Sequence, residues 1–209
     1  MREFCHVMTD YHQTQSLFDI AQHYIKWGYS VIPVRNNKAP VFSWKSNQSQ
    51  RNDFNALYNA LTKRADATGL GIVTGSISQL AVLDFDDLNL FYQFKDQYPH
   101  LTQTYTVRTR RGYHLYYAVK GDITTQTRKC KGIDWLYNGC YVVAPPSIIS
   151  GFRYQVEHAG LSHRVTASDL KNIQQFLDAQ QTTEPLSQPA GAANITFLPE
   201  EALRLYQQY

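Results

Sequence analysis

The run Leu80–Asp87, LAVLDFDD, constrains this chain more than any other stretch. Apolar residues with strand character lead straight into two aspartates one residue apart, with a third directly after. In an extended strand, residues two apart share a face, so Asp84 and Asp86 aim at one point. Carboxylates that close repel unless a positive charge lies between them, and a hard divalent cation is the usual partner. This predicts a metal-dependent enzyme acting on phosphates. It also requires a third acidic ligand and a phosphate-binding base elsewhere in the chain.

The 209-residue sequence leaves room for that site within one domain and a short appendage. The 15 Tyr and 10 Phe fit either an aromatic core or a stacking surface. A net charge of +3 permits nucleic-acid binding without requiring it. Cys5, Cys130 and Cys140 cannot all pair and match no zinc spacing, so reduced thiols in a cytoplasmic protein are expected. No run of 18 apolar residues occurs, and the start, MREFCHVMTDYHQ, lacks the apolar segment of a signal peptide. The expectation is a soluble protein with no membrane partner.

Patterning divides the chain into a flexible arm (1–15), a folded domain (16–179), a linker (180–195) and the start of a helical accessory region (196–209). Ser16 caps a predicted helix that stops at Gly28, and strand 30–34 follows. Further helices are expected over 53–64, 88–97 and 167–179, the last with Ser168 as a cap. Strands are expected at 70–73, 79–85, 104–109, 113–119, 140–144 and 152–156. Arg110, Arg111 and Gly112 form the tip of a hairpin between 104–109 and 113–119. The linker is rich in Gln, Thr, Pro, Ser, Gly and Ala.

Two further elements answer the demand made by the acidic pair. Asp134, in GIDW, sits in an apolar setting where a charge needs a reason. Three carboxylates from two strands would hold two divalent ions for in-line phosphoryl or nucleotidyl transfer. His114 opens a strand just after Arg108, Arg110, Arg111 and Gly112, a basic tip suited to phosphate oxygens. Taken singly, each has a plainer reading: solvated strand-end acids, a turn-forming aspartate, a structural histidine, a solvated turn.

In this order the pieces are far more specific. The chain resembles the bifunctional DNA primase/polymerase (prim-pol) family of the archaeo-eukaryotic primase superfamily. The resemblance rests on AxxYxxxGYxVIPV from Ala21 to Val34, Lys38 with Pro40 and Trp44, and GIVTGSIS before LAVLDFD. It continues through TxxGYHLYY around His114, GIDW at Asp134 and YVVAPPSxxxGxxY from Tyr141 to Tyr154. It implies an α+β fold of two lobes, one α/β and one like an RNA-recognition module, with mixed or antiparallel sheets, flanking helices and a metal site in the cleft. It further implies that Asp84, Asp86 and Asp134 bind two catalytic ions, Mg²⁺ or Mn²⁺. His114 would contact the phosphates of the incoming nucleotide, aided by Arg110 and, less directly, Arg108 and Arg111.

The implied partners are a single-stranded DNA template and NTPs or dNTPs, with a helicase region in a longer parent protein. The implied setting is cytoplasmic replication of a plasmid or phage, with this stretch acting as a monomer. The loop carrying Arg35, Lys38 and Trp44 is a candidate contact for template or nucleotide, although a tryptophan there also serves to close a core. Two departures stand out. Asp86 replaces a frequent Glu, and Gly112 stands where Ser is common. Zinc is not expected, because Cys130 and Cys140 lack a ligand set. The rival readings are a nucleotide-sugar glycosyltransferase using DxD, a phosphatase with a strand-end DxD, and a non-catalytic single-strand-binding module. The first leaves the GYH hairpin unexplained. The second lacks the Thr or Val expected at Leu88. The third does not need all three aspartates.

Overall fold

Ser16 and Asp19 close a reciprocal capping box, Ser16 Oγ accepting from the Asp19 N–H at 3.2 Å, and this starts α1 (Leu17–Lys26). The computed structural model describes residues 16–121 and 123–181. The expected arm, nearly all of the linker and the helical stub lie outside them. Gly28, at φ +86°, ends α1 and leads into β1 (Ser30–Val34). Asp53 caps α2 (Phe54–Lys63), and β2 (Gly69–Val73) follows. β3 (Leu80–Phe85) is the LAVLDF strand.

Asp87 then caps α3 (Leu88–Gln97), its carboxylate accepting from the Asn89 N–H at 2.8 Å. The third acid of DFDD therefore has a structural role. β4 (Thr106–Arg108) and β5 (Tyr113–Ala118) form the expected hairpin. Next come β6 (Arg128–Cys130), β7 (Ile133–Leu136) and β8 (Tyr141–Ala144). The chain closes with β9 (Ile148–Ile149), β10 (Phe152–Arg153), β11 (Gln155–His158), β12 (His163–Arg164) and α4 (Ala167–Gln181).

The architecture is mixed α+β with antiparallel sheets. A small sheet has the order β1-β2-β8, and a large one runs β11-β4-β5-β3-β7-β6. Among the described residues only β12 joins in parallel, beside β5. Strand periodicity sorts the large sheet into two faces. Leu80, Val82, Val107, Tyr116 and Leu136 pack into one cluster with the small sheet, α1 and α2. Ala81, Leu83, Phe85, Leu115, Tyr117 and Trp135 pack on the other face with Phe94 of α3 and Ile173, Phe176 and Leu177 of α4. With both faces covered, β3 reads as an unbroken apolar run rather than an alternating one. No helix among the described residues is long and apolar enough to cross a membrane.

Three details differ from the sequence reading. FRYQV does not form one strand: Tyr154 is buried and its N–H donates to the Ser147 carbonyl at 2.9 Å, splitting the segment between two sheets. Asp134 lies inside a strand, β7, rather than in the approach to β8. Ser168 is not the cap of α4. Thr166 Oγ1 accepts from the Asp169 N–H at 3.1 Å, and Asp169 Oδ2 accepts from the Thr166 N–H at 2.9 Å.

Asp169 also receives His163 Nε2 at 3.1 Å and His100 Nε2 at 3.3 Å, so one carboxylate ties α4 to β12 and to the turn before β4. Burial pushes this carboxyl up, yet the Thr166 and His163 contacts outweigh it and hold it at about 2. A depressed carboxyl stabilises the fold above its unfolded value and loses that contribution as pH falls through the folded one. Asp169→Asn is therefore expected to lower the melting temperature at pH 7 by several degrees. The gap to wild type should close as pH falls from about 4 toward 2, read by thermal melts across that range.

Candidate active site

Asp84 on β3 has a register partner on each side, His114 on β5 and Asp134 on β7. Asp134 is in turn opposite Lys129 on β6. Four adjacent strands thus carry one transverse row, His114–Asp84–Asp134–Lys129, on a single face of the large sheet. Two residues along each of the inner strands, Tyr116, Val82 and Leu136 form a parallel apolar row inside the core. The polar row begins where packing against the small sheet ends.

Two adjoining cavities open at that boundary. One, of about 330 Å³, is lined by Asp84, His114, Asp134 and Lys129, and by Lys38, Trp44 and Tyr141 from across the gap. The other, of about 410 Å³, is lined by Asp84, Asp86, His114, Thr109, Arg110, Arg111 and Ser150. Lys38, Asp84, His114 and Tyr154 border both.

His114 is 5% exposed, flanked by the rings of Tyr116 and Tyr154. Its Nε2 stands 3.4 Å from Asp84 Oδ1. Asp84 Oδ1 and His114 Nδ1 are both buried without a hydrogen-bond partner among the described residues. Burial alone would raise the Asp84 carboxyl, but His114, Lys38 and Arg111 hold it below its ordinary value. Asp134 goes the other way. Burial raises it, the Asp84 and Asp86 charges add to that, and the Cys130 N–H at 3.2 Å and Lys129 only partly oppose them.

Asp86 lies one step beyond β3, in a turn fixed by the Asp86 and Asp87 N–H groups donating to the Gly132 carbonyl at 2.9 and 3.1 Å. Its carboxylate accepts from the Arg111 guanidinium at 2.5 Å. The two side chains are 40% and 65% exposed, so this ion pair contributes little to stability. The hairpin tip sits hard against β3: a Cβ on Gly112 would lie 2.0 Å from the Phe85 carbonyl oxygen. That packing sets Arg110 and Arg111 along the second cavity.

Lys38 and Trp44 reach the site, and Arg35 and Arg108 do not. Arg35 donates to Asp66 at 2.9 Å, to the Val41 carbonyl at 2.9 Å and to the Pro40 carbonyl, clamping the loop that carries Lys38 and Trp44. The Tyr141 hydroxyl secures the same loop by donating to the Lys38 carbonyl at 3.1 Å. Arg108 stacks over the Tyr113 ring, 4.6 Å from its centre, and lines neither cavity. Ser147 of the APPS motif is structural, accepting from the Leu70 N–H at 2.8 Å. Sequence reasoning missed Lys129, Tyr141 and Tyr154. Only a register between β6 and β7 would have found the lysine.

The donor set suits a hard cation. All three acids offer oxygen, Asp84 Oδ1 is buried with a long contact from His114 Nε2, and the Asp84 and Asp86 charges push against that of Asp134. Among the described residues no three such side chains are drawn into a finished cage, since Asp86 leans on Arg111 instead.

A family model described as bifunctional DNA primase/polymerase, N-terminal, matches residues 21–170. That span contains the whole row and both cavities. No curated protein matches the chain.

Proposed function

The chain belongs to the bifunctional DNA primase/polymerase, N-terminal, family, and on that premise we propose that it joins nucleoside triphosphates on a single-stranded DNA template. The carrying observation is the transverse row, with Asp84 between His114 and Asp134 and its buried Oδ1 met by a long 3.4 Å contact from His114 Nε2. Asp84, Asp86 and Asp134 are the residues that would hold Mg²⁺ or Mn²⁺. Such ions supply Lewis acidity, lowering the pKa of an attacking hydroxyl and offsetting charge on the triphosphate.

In the reaction a hydroxyl loses its proton to solvent as its oxygen bonds to the α-phosphorus, the bond from that phosphorus to the bridging oxygen breaks, and pyrophosphate leaves. Little covalent work falls to the protein, so positioning and charge dominate. His114 donates a hydrogen bond to a phosphate oxygen. Arg110 and Arg111 engage the remaining phosphate charge through their planar forks. For Arg111 this means exchanging Asp86 for phosphate, an inexpensive exchange for a solvated pair. Lys38, on the border of both cavities, adds positive charge beside Asp84. The buried setting of His114 and the partly buried one of Asp84 strengthen each of these interactions relative to water.

The test is incubation with a single-stranded template, NTPs or dNTPs, and Mn²⁺ or Mg²⁺. Extended products or dinucleotides are expected, and both should vanish in the Asp84→Ala/Asp86→Ala double variant. Intact strand binding with no incorporation under either metal would reduce the protein to a binding module.

A further inference from the structure

We propose that the cavity walled by Trp44, Tyr141 and Lys129 receives the nucleic-acid strand, with Lys129 binding a backbone phosphate and Trp44 offering ring surface to a base. This rests on the nucleotidyl-transfer reading and divides its two substrates between the two cavities.

Lys129 is exposed and directly opposite Asp134 in the strand register, so it extends the row to the edge of the sheet. The neighbouring Arg128 is spent on structure, donating to Asp178 of α4 at 2.6 Å. Lys129 makes no ion pair within 4.0 Å among the described residues, and it lines the first cavity. Across that cavity Trp44 is half-buried and braced by Tyr141, their ring centres 4.9 Å apart at 73°.

The chemistry of the walls separates the ligands. A triphosphate concentrates several charges on one short group, which suits the paired guanidinium forks of Arg110 and Arg111 in the other cavity. A strand presents one phosphate per nucleotide with a base beside it, which suits a lysine point charge next to an aromatic ring. The cavities meet at Asp84 and His114, so ligands bound in both would meet at the acids.

Equilibrium binding of a fluorescein-labelled oligodeoxythymidylate to the full chain, titrated at several salt concentrations, tests this without any need for turnover. Lys129→Ala should weaken strand binding several-fold at low salt and reduce the slope of log affinity against log salt by about 0.7, one phosphate contact on a single strand. Lys129→Arg should restore both. Nucleoside triphosphate bound in the absence of a strand should hold to Lys129→Ala as to wild type and should weaken in Arg110→Ala. Unchanged strand affinity and slope in Lys129→Ala would overturn the proposal. So would a loss of triphosphate binding in that variant with strand binding intact. A wild-type protein that binds the strand but joins no nucleotides would defeat the functional reading instead, and the Lys129 slope would still decide this one.

Discussion

Asp84→Asn is expected to lower nucleotide incorporation by about 10³-fold or more while moving the melting temperature by no more than a few degrees. The large kinetic effect follows from position. Asp84 has His114 and Asp134 in register on its two sides and is the acid of the row that borders both cavities. Asparagine keeps the shape but removes the charge that would hold a cation. The small thermal effect follows from opposing contributions. Burial disfavours the charge, His114, Lys38 and Arg111 favour it, and the balance leaves the carboxyl below its ordinary value. Asp86→Asn should be milder, since its carboxylate is more exposed and shared with Arg111. Steady-state incorporation and thermal melts on the two variants check both halves.

Gly112→Ser should cost about 1–3 kcal/mol, a fall in melting temperature of roughly 2–12 °C, and should raise the KM for the triphosphate more than it lowers kcat. The resemblance marks this position as one where serine is common, which would make the substitution restorative. Here it is not. The added Cβ would fall 2.0 Å from a backbone oxygen of Phe85, which cannot rotate away. The tip must then lift from β3, carrying Arg110 and Arg111 off the second cavity while Asp84 and Asp134 stay in register. Thermal melts with a KM-against-kcat comparison read this. Unchanged stability would show that the tip yields more easily than its contacts indicate.

Much of this was legible in the sequence because the informative residues sit at the ends of strongly patterned strands. LAVL can only be a buried strand or part of a helix, and the acids after it fix where the strand leaves the core. His114 followed from a hairpin whose strands and tip residues are all explicit. What escaped was information carried by partners far away in the chain. Arg35 looks like any loop cation until Asp66 is beside it, 31 residues on. Arg108 and Arg110 differ only in whether the strand has ended, and that decides which one reaches a cavity. Lys129 belongs to a three-residue edge strand in RKCKG, too short to show a period, so its place in the row depends on a register the sequence does not encode locally. The cap of α4 was recoverable: Thr166 and Asp169 have capping-box spacing, whereas Ser168 has no acid three residues on.

The most direct test of nucleotidyl transfer is template-directed choice. Each of four single-stranded homopolymers is presented with all four labelled nucleotides and Mn²⁺, and the incorporated base is identified. The row and its two cavities predict that each template selects its complement and that wild type loses this signal when a chelator is added. The same mixture of nucleotides joined on every template, or no incorporation with the strand still bound, would contradict it.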